Sequence, residues 1–195
     1  VFAHDQGKIS FYQVQFNPTT LADVQINHIE EFTNFNDFTV FRRANLIYVV
    51  GYGFEGNDLS VYTVQNTGAN PAISGPFYVD LPFNFRLWGV KCKAYDSQGF
   101  FCIMNTDSSF ISEAYITYNS YNVQSTGLHD KYGYLEAFDI DFAGNYIYAF
   151  ARTTKPGVFS LAILCWKTFI SGGNGPLWYG VNLPVPDNMD VDIHY

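Results

Sequence analysis

A chain of 195 residues, 48% of them hydrophobic and 14% charged, is long enough for one well-buried core and too apolar for a disordered segment. Its formal net charge is −8 with 10 basic residues, and the only adjacent basic pair is Arg42-Arg43. That disfavours nucleic acid or an anionic membrane as partners, since both need cations aligned on phosphates. The apolar run Phe159 to Trp166, interrupted by Ser160, falls far short of the ~20 residues that span a bilayer.

Helical periodicity is weak throughout, whereas alternating, β-branched and aromatic runs are frequent. The 19 Phe and 15 Tyr suit sheet surfaces, where flat rings pack across strands. From the N-terminus, Val1-Phe2-Ala3 reads as the tail of a strand, without a signal peptide before it. The chain thus reads as processed or as a window on a longer one. Lys8–Gln15 reads as the next strand. Three four-strand units follow. The first is predicted at Asp37–Phe41, Leu46–Gly51, Leu59–Val64 and Phe77–Leu81. The second covers Gly89–Ala94, Phe100–Met104, Ala114–Tyr118 and a weak segment near Leu128–Tyr134. The third covers Ala137–Phe142, Tyr146–Ala151, Val158–Trp166 and Leu177–Leu183. At the end, Asp190–His194 patterns like the first strand of a unit.

The units recur. Ala44-Asn45-Leu46-Ile47-Tyr48-Val49 returns as Gly144-Asn145-Tyr146-Ile147-Tyr148-Ala149, and the same displacement carries Phe38 onto Phe138, Ser60 onto Ser160 and Gly75-Pro76 onto Gly175-Pro176. A repeat of about 50 residues with four strands resembles a β-propeller blade. The Gly-His and Trp-Asp marks of WD40 repeats and the double glycines of Kelch repeats do not recur. The predicted fold is therefore all-β, of antiparallel four-stranded sheet repeats, β-propeller-like, with about four blades in a single domain, 1–195. Its units are approximately 36–85, 86–135, 136–186, and one split between the termini as 1–35 plus 187–195.

Cys92 and Cys102 flank the turn Tyr95-Asp96-Ser97-Gln98-Gly99 almost symmetrically. They read either as a cross-strand disulfide or as two small buried apolar residues; Cys165 reads as core. No CxxC spacing supports zinc.

Asp190, Asp192 and His194 alternate and so project to one strand face, as do Asp139 and Asp141. In a propeller these strands line the central channel. The five residues Asp139, Asp141, Asp190, Asp192 and His194 are the candidate metal ligands, for a divalent cation such as calcium. The competing reading is a solvated strand face, because the other copies place Thr39 and Phe41, or Lys93 and Tyr95, there. No other cofactor is expected.

Trp88, Trp178-Tyr179, Tyr115, Tyr118 and Tyr121 stand near strand ends among amides, a composition suited to sugar or protein surfaces. Trp88, Trp178 and Tyr179 are the candidate ligand-binding residues. The competing reading is that such rings fill the spaces between sheets. The four histidines lie in different units, and neither a nucleophile elbow nor a phosphate loop is present.

These features predict a non-catalytic, extracellular or cell-surface structural or adhesive module. It would self-associate as a homo-oligomer or filament through the open edges of its split sheet, with carbohydrate as a second class of partner. The alternative is a metal-dependent propeller hydrolase or lyase acting on carbohydrate or a small ester.

Overall fold

The computed structural model describes residues 1–5, 7–15, 17–20, 22–53, 58–65, 71–106, 110–130, 134–155, 158–167, 176–177 and 183–184. Among them the regular structure is strand throughout, and no helix is long and apolar enough to cross a membrane.

Four antiparallel sheets follow one another along the chain. The first holds β1 (Phe2–Asp5), β2 (Lys8–Gln15) and β3 (Gln25–Thr33). The second holds β4 (Asp37–Arg43), β5 (Leu46–Tyr52), β6 (Leu59–Gln65) and β7 (Ala72–Val79). The third holds β8 (Leu87–Ala94), β9 (Gly99–Thr106), β10 (Phe110–Thr117) and β11 (Val123–Asp130). The fourth holds β12 (Tyr134–Ala143), β13 (Tyr146–Lys155) and β14 (Val158–Lys167), with the short β15 (Pro176–Leu177) and β16 (Leu183–Pro184) both along β14. The single strand predicted at Leu177–Leu183 is thus two short ones. Asp190–His194 lies outside the described residues.

In each sheet strands consecutive in the chain are hydrogen-bonded neighbours, the order of a meander. Arg43 pairs with Leu46 and Ala143 with Tyr146, so both first hairpins close on two residues. Ala44 (φ 53°) and Gly144 (φ 59°) take the same left-handed position in them.

The sheets stack face to face in a propeller-like fold, with β4, β8 and β12 adjacent at the centre. Stacking explains why the strands carry apolar residues on both faces instead of one. In β9, Phe100, Cys102 and Met104 enter the seam with the second sheet, beside Phe41, Tyr48, Val50 and Val61. The alternate residues Phe101 and Ile103 enter the seam with the fourth sheet, beside Phe138, Ile140, Ile147 and Ala149. All eight residues of β9 are accordingly buried. A third cluster, including Ile9, Phe11, Phe32, Phe35, Val49 and Val64, seals the first sheet to the second.

Cys92 and Cys102 face each other across β8 and β9 and are bonded, with their Cα atoms 4.1 Å apart. Of the two readings left open by the sequence, the disulfide is the one realised.

Candidate functional site

The inner strands have two ends. The end where they begin carries polar groups that the fold does not fully use.

Asp37 starts β4 and reaches its position through the segment before it. The Phe35 ring lies on Gly51, where a Cβ would come within 2.5 Å of both that ring and the Asp37 carbonyl oxygen. A side chain at position 51 would therefore displace the segment. Phe35 N–H donates to Gly7 O (2.8 Å), and Asn36 N–H to Tyr52 O (2.8 Å). So held, the half-buried Asp37 accepts Phe38 N–H at Oδ1 (2.8 Å) and Val90 N–H at Oδ2 (3.0 Å). The second bond crosses from one inner strand to the next.

Two neighbours complete this end. Tyr52 is buried, and its hydroxyl is held by Asn36 Nδ2 at 3.3 Å. Burial first, then the Asp37 charge, push its pKa well up, and the Asn36 bond and the Arg86 guanidinium counter them only in part. Tyr52 thus stays a neutral hydroxyl. On β8 the pairing register shifts between Leu87 and Gly89. Such an irregularity re-aims the residue within it, and Trp88 is left 55% exposed. Arg86, just ahead of it, is exposed as well.

Gly89 lies under this group: a Cβ there would sit 3.9 Å from Asp37 Oδ2, 3.8 Å from Asn105 Cβ and 3.2 Å from Phe138 Cε1. Three inner strands therefore converge on one point. Behind it the β9–β10 hairpin buries Asn105, Thr106, Ser112 and Glu113, an unusual run of polar residues for a sheet interior. Ser112 Oγ has no hydrogen-bond partner among the described residues.

At the opposite end the carboxylate is more fully used, although the buried Tyr118 hydroxyl has no hydrogen-bond partner among the described residues. Asp96 Oδ1 accepts Gln98 N–H (2.7 Å), Gly99 N–H (2.8 Å) and the Tyr115 hydroxyl (2.9 Å). Burial raises the Asp96 pKa, but these donors and the Arg43 charge outweigh it, and the carboxyl lies below its usual value. Burial and the Asp96 bond push Tyr115 up to about 12. Arg43 donates to Ser97 O (2.6 Å) and stands 4.1 Å over the Tyr118 ring.

The structure places the sequence candidates unevenly. Asp139 and Asp141 do share a face of β12, both half-buried, opposite the face that buries Phe138 and Ile140. Asp141, however, accepts Phe142 N–H at Oδ1 (2.8 Å) and meets Lys93 Nζ at Oδ2 (3.4 Å). Lys93, which breaks the acidic pattern in its own unit, is the partner of that pattern in the next. Among the described residues no three His, Cys, Asp or Glu side chains group as metal ligands. Asp190, Asp192, His194, Trp178 and Tyr179 lie outside the described residues. Of the two readings of Tyr115 and Tyr118, the one in which rings fill the spaces between sheets is realised, for they are only 5% and 8% exposed. Tyr121 is half-buried and stacks on Phe77 at 4.6 Å.

Asp37 and Arg86 were missed by the sequence reading. The available signal was the position of Asp37 at the very start of an inner strand, two residues ahead of the Thr39 that aligns with Asp139.

No protein-family model and no curated protein matches the chain. Among solved structures it is similar to an α-L-arabinofuranosidase of glycoside hydrolase family 43 from Clostridium thermocellum. The TM-score is 0.54 at 15% identity, over 97% of this chain and 74% of that one. That enzyme is a five-bladed β-propeller, so the likeness establishes the propeller-like fold.

The same comparison corrects the expectation of a non-catalytic, self-associating structural module. The fold is shared with a carbohydrate-cleaving enzyme, which favours the alternative reading. The N-terminal strands pair with one another and pack through Ile9, Phe11 and Phe32 onto the second sheet of the same chain.

Proposed function

We propose that the chain is a carbohydrate-active hydrolase whose site lies where β4, β8 and β12 begin. The observation that carries this reading is Asp37. It is a half-buried carboxylate fixed by the backbone of two different inner strands, through a bond to Val90 that lies two residues along β8 from the exposed Trp88. Glycosidic hydrolysis needs two carboxylates flanking the bond, about 5–10 Å apart. Asp37 is the first. The second is Asp139, on the face of β12 from which Asp141 reaches back to β8, and two residues nearer the start of the strand. Asp37 serves as the oriented base, the bond from Asn36 to the buried Tyr52 fixes the segment that carries it, and Trp88 stacks on a sugar ring.

The fold shared with an arabinofuranosidase makes α-L-arabinofuranosides the first substrates to assay. The Cys92–Cys102 disulfide supports synthesis into an oxidising, extracellular setting.

Sugar release from aryl glycosides and arabinosyl polysaccharides tests the proposal. Asp37→Asn is expected to lower the rate about a hundredfold to ten-thousandfold while the protein still folds, with a lowered melting temperature because the amide nitrogen faces a backbone N–H where an oxygen accepted. Absence of hydrolysis across the panel, or full activity in Asp37→Asn, overturns it.

A further inference from the structure

We infer that Gly89 is a positioning residue for Asp37: its missing side chain lets β8 lie where the Val90 N–H fixes the carboxylate. This rests on the hydrolytic reading above and concerns how that site is kept in place.

Glycine is costly in a strand interior, so its presence at 89 calls for a cause. Backbone conformation does not supply one, because Gly89 lies outside the left-handed region that Gly7, Gly75 and Gly144 occupy. Space does. A Cβ there would sit 3.2 Å from Phe138 Cε1, 3.8 Å from Asn105 Cβ and 3.9 Å from Asp37 Oδ2. Only the first of these is tighter than ordinary van der Waals contact.

The two sides of Gly89 differ in how far they yield. Phe138 is buried and packed with Phe101, Ile103, Ile140, Ile147 and Ala149. A close-packed interior passes strain on instead of absorbing it. Asp37, on the other side, is half-buried, and its Oδ2 is tied to β8 by the Val90 N–H at 3.0 Å. A methyl group at 89 therefore pushes off the ring and displaces the Val90 N–H, and the carboxylate loses its alignment. Position 51 is a contrast. A Cβ there would come within 2.5 Å of a backbone oxygen, whereas at 89 a few tenths of an ångström relieve the contact.

Kinetics on an aryl α-L-arabinofuranoside, together with the amide spectrum, test the inference in Gly89→Ala. Misplacement by about 1 Å costs about a hundredfold, so this smaller shift is expected to lower kcat about tenfold with KM unchanged. The Val90 amide proton lies in the bond itself and reads the geometry without substrate; it should move upfield as that bond lengthens. Phe138→Leu removes the ring atom that the methyl meets. Gly89→Ala/Phe138→Leu should therefore recover the kcat and the Val90 shift of Phe138→Leu alone, despite a melting temperature below that of the native protein. The same comparison decides the matter if Gly89→Ala does not fold. Native kcat or an unmoved Val90 amide in Gly89→Ala, a loss that falls on KM, or a double variant well below Phe138→Leu overturns it. Failure of the hydrolytic reading would instead appear as absent turnover in the unsubstituted protein, with the Val90 amide still following the substitutions.

Discussion

The two ends of the inner strands hold the same kinds of residue and use them differently. At the turn end, Asp96, Tyr115 and Arg43 bond to one another's loops until little is left to offer a ligand: Asp96 Oδ1 alone accepts three donors. At the starting end each Asp37 oxygen accepts a single backbone donor among the described residues, and Arg86 and Trp88 stay exposed. Residue type therefore does not mark the site. The difference lies in how much hydrogen-bonding capacity remains after the fold has been satisfied.

Substitutions at the two ends should separate on that line. The largest effect is the loss of hydrolysis in Asp37→Asn described above, far beyond what the loss of one backbone hydrogen bond would do to stability. Next is the covalent tie between the ends. Cys92–Cys102 closes a loop with a sequence separation of 10, so its removal in Cys92→Ala/Cys102→Ala should cost about 2–3 kcal/mol. A lower denaturation midpoint, matched in the native protein by adding reductant, would show it; an unchanged midpoint would mean that the seam alone holds the sheets. Smaller still is Asp96→Ala, expected to cost about 1–2 kcal/mol through three unmet donors. Because the folded-state pKa of Asp96 lies below the ordinary aspartate value, its contribution is present above that ordinary value. It fades as pH falls through the folded value. The variant should then lose part of the acid sensitivity of unfolding, while hydrolysis at neutral pH stays as it was. A large loss of activity in Asp96→Ala would erase the distinction between the two ends.

The fold was more legible than the site, for physical reasons. Alternation and turn chemistry are local, so most strands were placed within a few residues of their observed bounds. The repeat was legible only as far as its first hairpin. Leu46 pairs with Gln65, but Tyr146 pairs with Lys167. The second hairpin of the fourth sheet is thus two residues longer, and the Ser60 match to Ser160 is not structural: Ser60 faces Gly51, whereas Ser160 faces Thr153. The site depends on contacts between strands far apart in sequence. The bond from Val90 N–H to Asp37 spans 53 residues, and no periodicity announces it. Burial of Tyr115 and Tyr118 was one of two readings the sequence left open, for a related reason. Period-two patterning shows which residues share a face, not whether a second sheet covers it.

The smallest effect probes the turn end once more. Ala44 and Gly144 occupy the same turn position at φ 53° and 59°, yet only glycine takes that conformation without a Cβ penalty. The penalty for an L-residue there is about 1–2 kcal/mol, offset in part by the greater unfolded-state entropy of glycine. Ala44→Gly should therefore stabilise the protein by about 0.5 kcal/mol, read as a small rise in the denaturation midpoint. Gly144→Ala should lower it, since the open space around that position leaves the backbone as the sole source of cost. Neither should alter hydrolysis, because both lie at the end of the strands remote from Asp37. Opposite signs at two equivalent turns, with unchanged turnover, would mark this end as scaffold; a shift in turnover from either would mean that the turns communicate with the site.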